Sequence, residues 1–90
     1  MMYPYLIFEN DNTEVVHSHI LERNGQREVE VHFERPTVNG FDTARCVLPS
    51  YTWIIKKGYS ENEMQYFTEF VRNHAHLLYR YAESGGMQLR

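Results

Sequence analysis

Apolar and polar residues alternate along most of the chain up to Lys57, the pattern of half-buried strands, and a helical period takes over after Gly58. Tyr3 to Phe8 is a short aromatic and aliphatic run closed by Glu9-Asn10-Asp11-Asn12, residues that favour turns. Val15 to Arg23 and Gln26 to Arg35 flank Asn24-Gly25. That dipeptide predicts a two-residue hairpin, because the turn needs positive φ at both central residues. With Arg23 facing Gln26, Val16 falls opposite Phe33, Ser18 opposite Val31 and Ile20 opposite Val29, an almost wholly apolar face. A slip of one residue would set these apolar side chains against polar ones. Pro36 is expected to end this strand, and Asn39-Gly40 turns the chain into Phe41 to Leu48, where Ala44, Cys46 and Leu48 share a face. After Pro49-Ser50, Tyr51 to Ile55 reads as a last short strand or an extended lead into the helix.

The helix is announced by a capping box, Ser60-Glu61-Asn62-Glu63, in which Ser60 is the N-cap and Glu63 reaches back to its amide. It should run to about Ala82 or Glu83, where Gly85-Gly86 supplies the stop. Met64, Phe67, Val71, Ala75, Leu78 and Ala82 form a stripe for burial. Tyr66, Phe70, Leu77 and Tyr81 make a second stripe beside it, with His74 between the two. One small sheet does not cover so wide an arc. The second stripe is therefore the expected interface with a partner, most simply another copy of the chain.

The 90 residues suffice for one domain, burying roughly 60 to 65% of the surface that the unfolded chain exposes. A hydrophobic content of 42% with only 23% charged residues is that of a folded domain and not of a disordered segment. The net charge of −3 and the scattered basic residues, with Lys56-Lys57 the one adjacent pair, argue against general nucleic-acid binding, which needs clustered cations. Cys46 stands alone, so no intrachain disulfide forms and a reducing compartment fits. No basic opening or long apolar run marks a signal peptide or membrane span, and the expected location is cytoplasmic.

The hairpin register has a second consequence. His17 falls opposite His32 and His19 opposite Glu30, which sets three imidazoles and a carboxylate on one sheet surface. His17, His19, His32 and Glu30 are thus candidate ligands for zinc or another divalent metal; the alternative is a solvated polar face, and no cofactor is then expected. The same groups, with Glu28 or Glu34, could serve general acid–base work, but no nucleophile accompanies them. Cys46 lies on an apolar strand face, where thiols are inert. Ser18 shares the apolar face of its strand and is no better placed. His74 and His76 fall on different helix faces. Lys56-Lys57 beside Trp53 and Tyr59 could hold an anion or form a solvated corner.

The order of a short strand, a hairpin with His17-Ser18-His19, a strand through Ala44-Arg45-Cys46-Val47-Leu48-Pro49, and Gly58-Tyr59-Ser60 opening a helix that ends in Gly85 resembles the small bacterial domain-of-unknown-function family 4160. Val15-Val16 stand where that family tends to have Pro before its His-x-His, and Tyr79 and Tyr81 where it has a Trp. The resemblance implies a small α+β domain, a gene set beside another small partner in a toxin–antitoxin-like arrangement, and no catalytic residues.

The expectation is one α+β domain over residues 1–90: an antiparallel sheet of roughly three to five strands (about 3–56) with a central Asn-Gly hairpin, a helix (about 60–83) on one face and a frayed tail (84–90). The functional expectation is a protein-interaction domain, homodimeric, more readily a binding protein than an enzyme. A metal-binding or metal-dependent hydrolytic protein is the alternative, and a toxin–antitoxin-like component acting on RNA a further one.

Overall fold

The computed structural model describes residues 1–87, and the remainder of the expected tail lies outside them. Strands β1 (Met2–Phe8), β2 (Thr13–Ser18), β3 (Leu21–Arg23), β4 (Gln26–Thr37), β5 (Gly40–Leu48) and β6 (Thr52–Lys57) precede one helix, α1 (Glu61–Ser84). The sheet is antiparallel, in the order β1-β2-β4-β5-β6, and β3 pairs β4 off that path. It therefore has six strands against the three to five expected. The sixth arises because the chain from Val15 to Arg23 is broken into β2 and β3, which meet β4 one after the other.

At the β3–β4 turn Arg23 lies across from Gln26, and Asn24 and Gly25 take φ of 53° and 73°. β4 continues through Pro36 to Thr37 instead of stopping at the proline. Its pairing with β2 ends at Glu34, while Pro36 pairs with Phe41 of β5. The missing N–H is thus accommodated where β2 no longer pairs.

Ser60 caps α1 with both halves of the capping box present, and Gly85 ends it in the left-handed region at φ 79°. Phe67, Phe70, Val71, Leu78 and Ala82 are buried. They meet Val15, Val29, Val31, Phe33, Ala44, Cys46 and Leu48 from the sheet. The rings of Phe33 and Phe67 stack at 4.3 Å in the middle of this core, and each such side chain stabilises the fold by about 1.5 to 3 kcal/mol.

Polar contacts fasten both ends of the helix to the sheet. At its start the Arg35 guanidinium donates to Asp11, Asp42 and Glu63 and lies over the Tyr59 ring at 4.6 Å. At its end the Tyr79 hydroxyl donates to the Arg27 carbonyl at 2.8 Å and the Arg27 guanidinium to Glu83 at 3.0 Å. The first part of the expected frayed tail is held as well. Gly86 is buried, and a Cβ there would meet the Tyr3 ring at 3.0 Å.

Candidate functional site

The break between β2 and β3 decides where the histidines go. β2 pairs β4 with Val15 opposite Phe33, Val16 opposite His32 and His17 opposite Val31. Near the turn the register is Leu21 opposite Glu28 and Arg23 opposite Gln26. Between these two registers Ser18, His19 and Ile20 oppose only Val29 and Glu30, a β-bulge. The Ser18 hydroxyl stitches it: the Glu30 N–H donates to Ser18 Oγ at 2.9 Å, and Ser18 Oγ donates to the His19 carbonyl at 2.7 Å. The hydroxyl takes the place of the strand partner that Glu30 has lost.

The bulge has a packing cause. Val15 is fully buried and Ile20 packs against the same core, yet an odd and an even position of one regular strand face opposite ways. One extra residue between them lets both point inward.

The expected pairings of His17 with His32 and His19 with Glu30 are therefore replaced. His17 is fully buried on the helix side of the sheet. His32 lies on the other side, where its Nε2 is 2.9 Å from Glu30 Oε1, and His19 is exposed at the bulge. The hydrogen bond from His32, and then that from Arg23, hold the Glu30 carboxyl below the usual carboxylate range. The four candidate ligands are not gathered, and among the described residues no group of three or more His, Cys, Asp or Glu could hold an ion.

His17 Nδ1 is 2.8 Å from the Ser18 carbonyl, which makes Nδ1 the protonated nitrogen. Its Nε2 is buried with no partner. The ring sits against Tyr3 and Tyr5, at centroid distances of 5.6 and 6.3 Å. Burial pushes its pKa down, against an opposing pull from the Ser18 carbonyl. Tyr5 also reaches the helix, where its hydroxyl meets His74 Nδ1. Burial, and then neighbouring His76, lower the His74 pKa too.

The aromatic arc of α1 finds its cover in β1. Phe8 packs on Phe70 at 5.2 Å and on Tyr66 at 5.7 Å, and Tyr5 packs on Phe70 at 6.2 Å and on Tyr81 at 6.1 Å. Phe70 is consequently buried, Leu77 and Tyr81 are half-buried, and Tyr66 remains 56% exposed. Tyr5 reaches the helix because it is the unpaired residue of a register shift between Pro4 and Leu6. Trp53 and Tyr59 are engaged elsewhere, Trp53 donating to Thr68 at 3.0 Å and Tyr59 lying under Arg35, while Lys56 and Lys57 are exposed. Cys46 is buried, and burial pushes its thiol pKa up to about 11.

What the helix leaves uncovered is the opposite face of the sheet. The strand register arranges that face in cross-sheet rows. Pro36 and Phe41 form one; Ile7, Glu14, Glu34, Thr43 and Lys57 the next; Pro4, Val16, His32, Arg45 and Ile55 the third. Ile7 is 54% exposed and Phe41 61%. Together with Glu14, Glu34, Pro36 and Asn12 they line a shallow depression. None of these residues stands out as a sequence motif. The signal available was architectural: a chain with one amphipathic helix and one sheet covers one face only.

No family model, curated protein or solved structure matches the chain. No helix among the described residues is long and apolar enough to cross a membrane.

Proposed function

We propose that the chain is a small cytoplasmic protein-interaction domain that acts as a homodimer. One observation carries this reading: the sheet face away from α1 holds large apolar side chains, Ile7 and Phe41, among charged ones, with no second layer over them. Single exposed apolar residues are ordinary. Large apolar side chains on a sheet face that no other element covers are available to a partner, and the charged residues around them would form its polar rim.

The test is sedimentation equilibrium of the full chain over a wide concentration range. The expected result is a mass rising toward twice 10.8 kDa. A mass that stays at 10.8 kDa up to the solubility limit overturns the reading.

A further inference from the structure

Glu14 and Glu34 stand directly opposite one another on neighbouring strands of the open face. Like charges in that position repel. Among the described residues neither carboxylate has a basic side chain within ion-pairing distance, and the one polar side-chain contact either makes is from the Thr43 hydroxyl to Glu34 at 3.3 Å. Elsewhere on the face the acids are matched: Glu28 and Glu30 by Arg23, and Glu30 again by His32.

The complementary surplus lies across the same sheet. Lys57 sits in the row of Glu14 and Glu34, at the far edge, and Arg45 one row further along. Neither has a carboxylate within ion-pairing distance among the described residues, and Arg45 Nε is buried without a hydrogen-bond partner. The face is therefore bipolar, acidic over β2 and β4 and basic over β5 and β6. Among the described residues no ion pair joins the two halves, which are linked on this face by the Thr43 hydroxyl donating to Glu34.

A bipolar face brings its acidic edge over the basic edge of its own copy when the two-fold axis runs parallel to the strands. A two-fold axis perpendicular to the strands lays each strand over its own counterpart, acidic strands over acidic and basic over basic, and where it passes through the row of Glu14 and Glu34 it sets Glu34 against Glu34, a costly like-charge juxtaposition. An axis parallel to the strands, between β4 and β5, lays β2 over β6 of the second copy and β4 over its β5. Glu14 then faces Lys57, Glu34 faces Thr43 with Arg45 one row away, Val16 faces Ile55, and Phe41 faces Pro36. The acidic edge meets the basic edge at Glu14 and Lys57, and Val16, Ile55, Phe41 and Pro36 meet one another, while His32 faces Arg45 and Ile7 on β1 lies beyond β6 of the second copy. Sheets packed face to face stand about 10 Å apart and about 30° from parallel, so these are neighbourhoods within reach of long side chains.

We infer that the open face docks a second copy of this chain about a two-fold axis parallel to the strands and between β4 and β5, bringing Glu14 of each copy to Lys57 of the other and Phe41 onto Pro36. This geometry rests on the homodimer reading above and assigns it a surface. Closed two-fold pairing of this kind is the commonest assembly of soluble chains.

Sedimentation equilibrium of wild type, Glu14→Lys, Lys57→Glu and the double variant tests it. Glu14 and Lys57 are exposed, so circular dichroism should show all four folded. Each single reversal is expected to raise the dimer Kd about tenfold or more. The double variant keeps the net charge of −3 and is expected to return to within about threefold of wild type. A dimer insensitive to either reversal, or weakened by both and not restored in the double variant, overturns the geometry while the homodimer reading stands. A wild type that is monomeric at every concentration removes that reading and the geometry with it.

Discussion

The backbone N–H of Glu30 ends on the side-chain oxygen of Ser18, at 2.9 Å, where a regular sheet would offer it a strand carbonyl. That bond closes the bulge between β2 and β3, whose extra residue sets which face each residue of β2 occupies. Ser18 is itself almost fully buried, so water does not replace it. Ser18→Ala strands the Glu30 donor, at a cost of about 1 to 3 kcal/mol. Urea unfolding should show that loss, and the Glu30 amide should exchange with solvent faster in the variant. Unchanged protection at Glu30 would mean that the bulge is held by something other than this hydroxyl.

Arg35, in β4, ties the turn before β2 and strand β5 to the helix start, contacting Asp11, Asp42 and Glu63. Its side chain is 19% exposed, which limits solvent screening. The Ser60 amide, and then Arg35, hold the Glu63 carboxyl below its ordinary value of 4.5. Burial works to raise Asp11, but its hydrogen bonds with Thr13 and Arg35 leave it lowered. A carboxylate with a depressed folded pKa adds stability above its unfolded pKa and loses it as pH falls through the folded one. Arg35→Met should cost about 2 kcal/mol at neutral pH. It should also flatten the loss of stability that wild type shows below about pH 4.5. Denaturation midpoints at neutral and acid pH for both proteins check this.

These contacts mark what could be read from the chain and what could not. Ser60 and Glu63 act on each other across three residues, so the helix start and its period were legible locally, and the cap is where the spacing puts it. The register that Asn24-Gly25 propagates along an unbroken hairpin puts Val16, Ser18 and Ile20 on the apolar face and Val15 with the histidines. The opposite parity of two apolar residues, Val15 and Ile20, both of which reach the core, is the mark of the bulge that this register passes over. Because one inserted residue reverses a strand's faces, that local event carried His17 into the core and dispersed the proposed ligands. The cover of Phe70 and Tyr81 depends on Tyr5, nearly the whole chain away, and no short-range pattern announces such a contact.

Cys46 is 1% exposed, and its thiol is pushed up to about 11 by burial. Thiolate is the reactive species, so both access and ionisation oppose modification. The expected result is negligible labelling by a thiol-disulfide reagent in native buffer at neutral pH, with one equivalent reacting once the chain is unfolded in urea. Rapid native labelling would show that the β5 face opens on the timescale of the reaction.

His17 should give the fold a sensitivity to mild acid distinct from that of the carboxylates. Its Nδ1–H is committed to the Ser18 carbonyl and its Nε2 is buried among Tyr3 and Tyr5 with no acceptor for a second proton. Protonation in the folded state would therefore bury an unpaired charge. The folded pKa lies below the unfolded value of 6.5, mainly through burial. The unfolded chain thus takes up its proton first as the pH falls, and stability declines from about pH 6.5 downward. A single buried histidine sets a limiting slope of about 1.4 kcal/mol per pH unit in that window. His74, lowered in the same direction, adds to it. His17→Leu leaves the Ser18 carbonyl without its donor and should be somewhat less stable at pH about 7.5. Between about pH 6.5 and 5 it should lose less stability than wild type. Equal slopes in the two proteins would place the proton elsewhere, and His74→Gln is the variant that would then identify it.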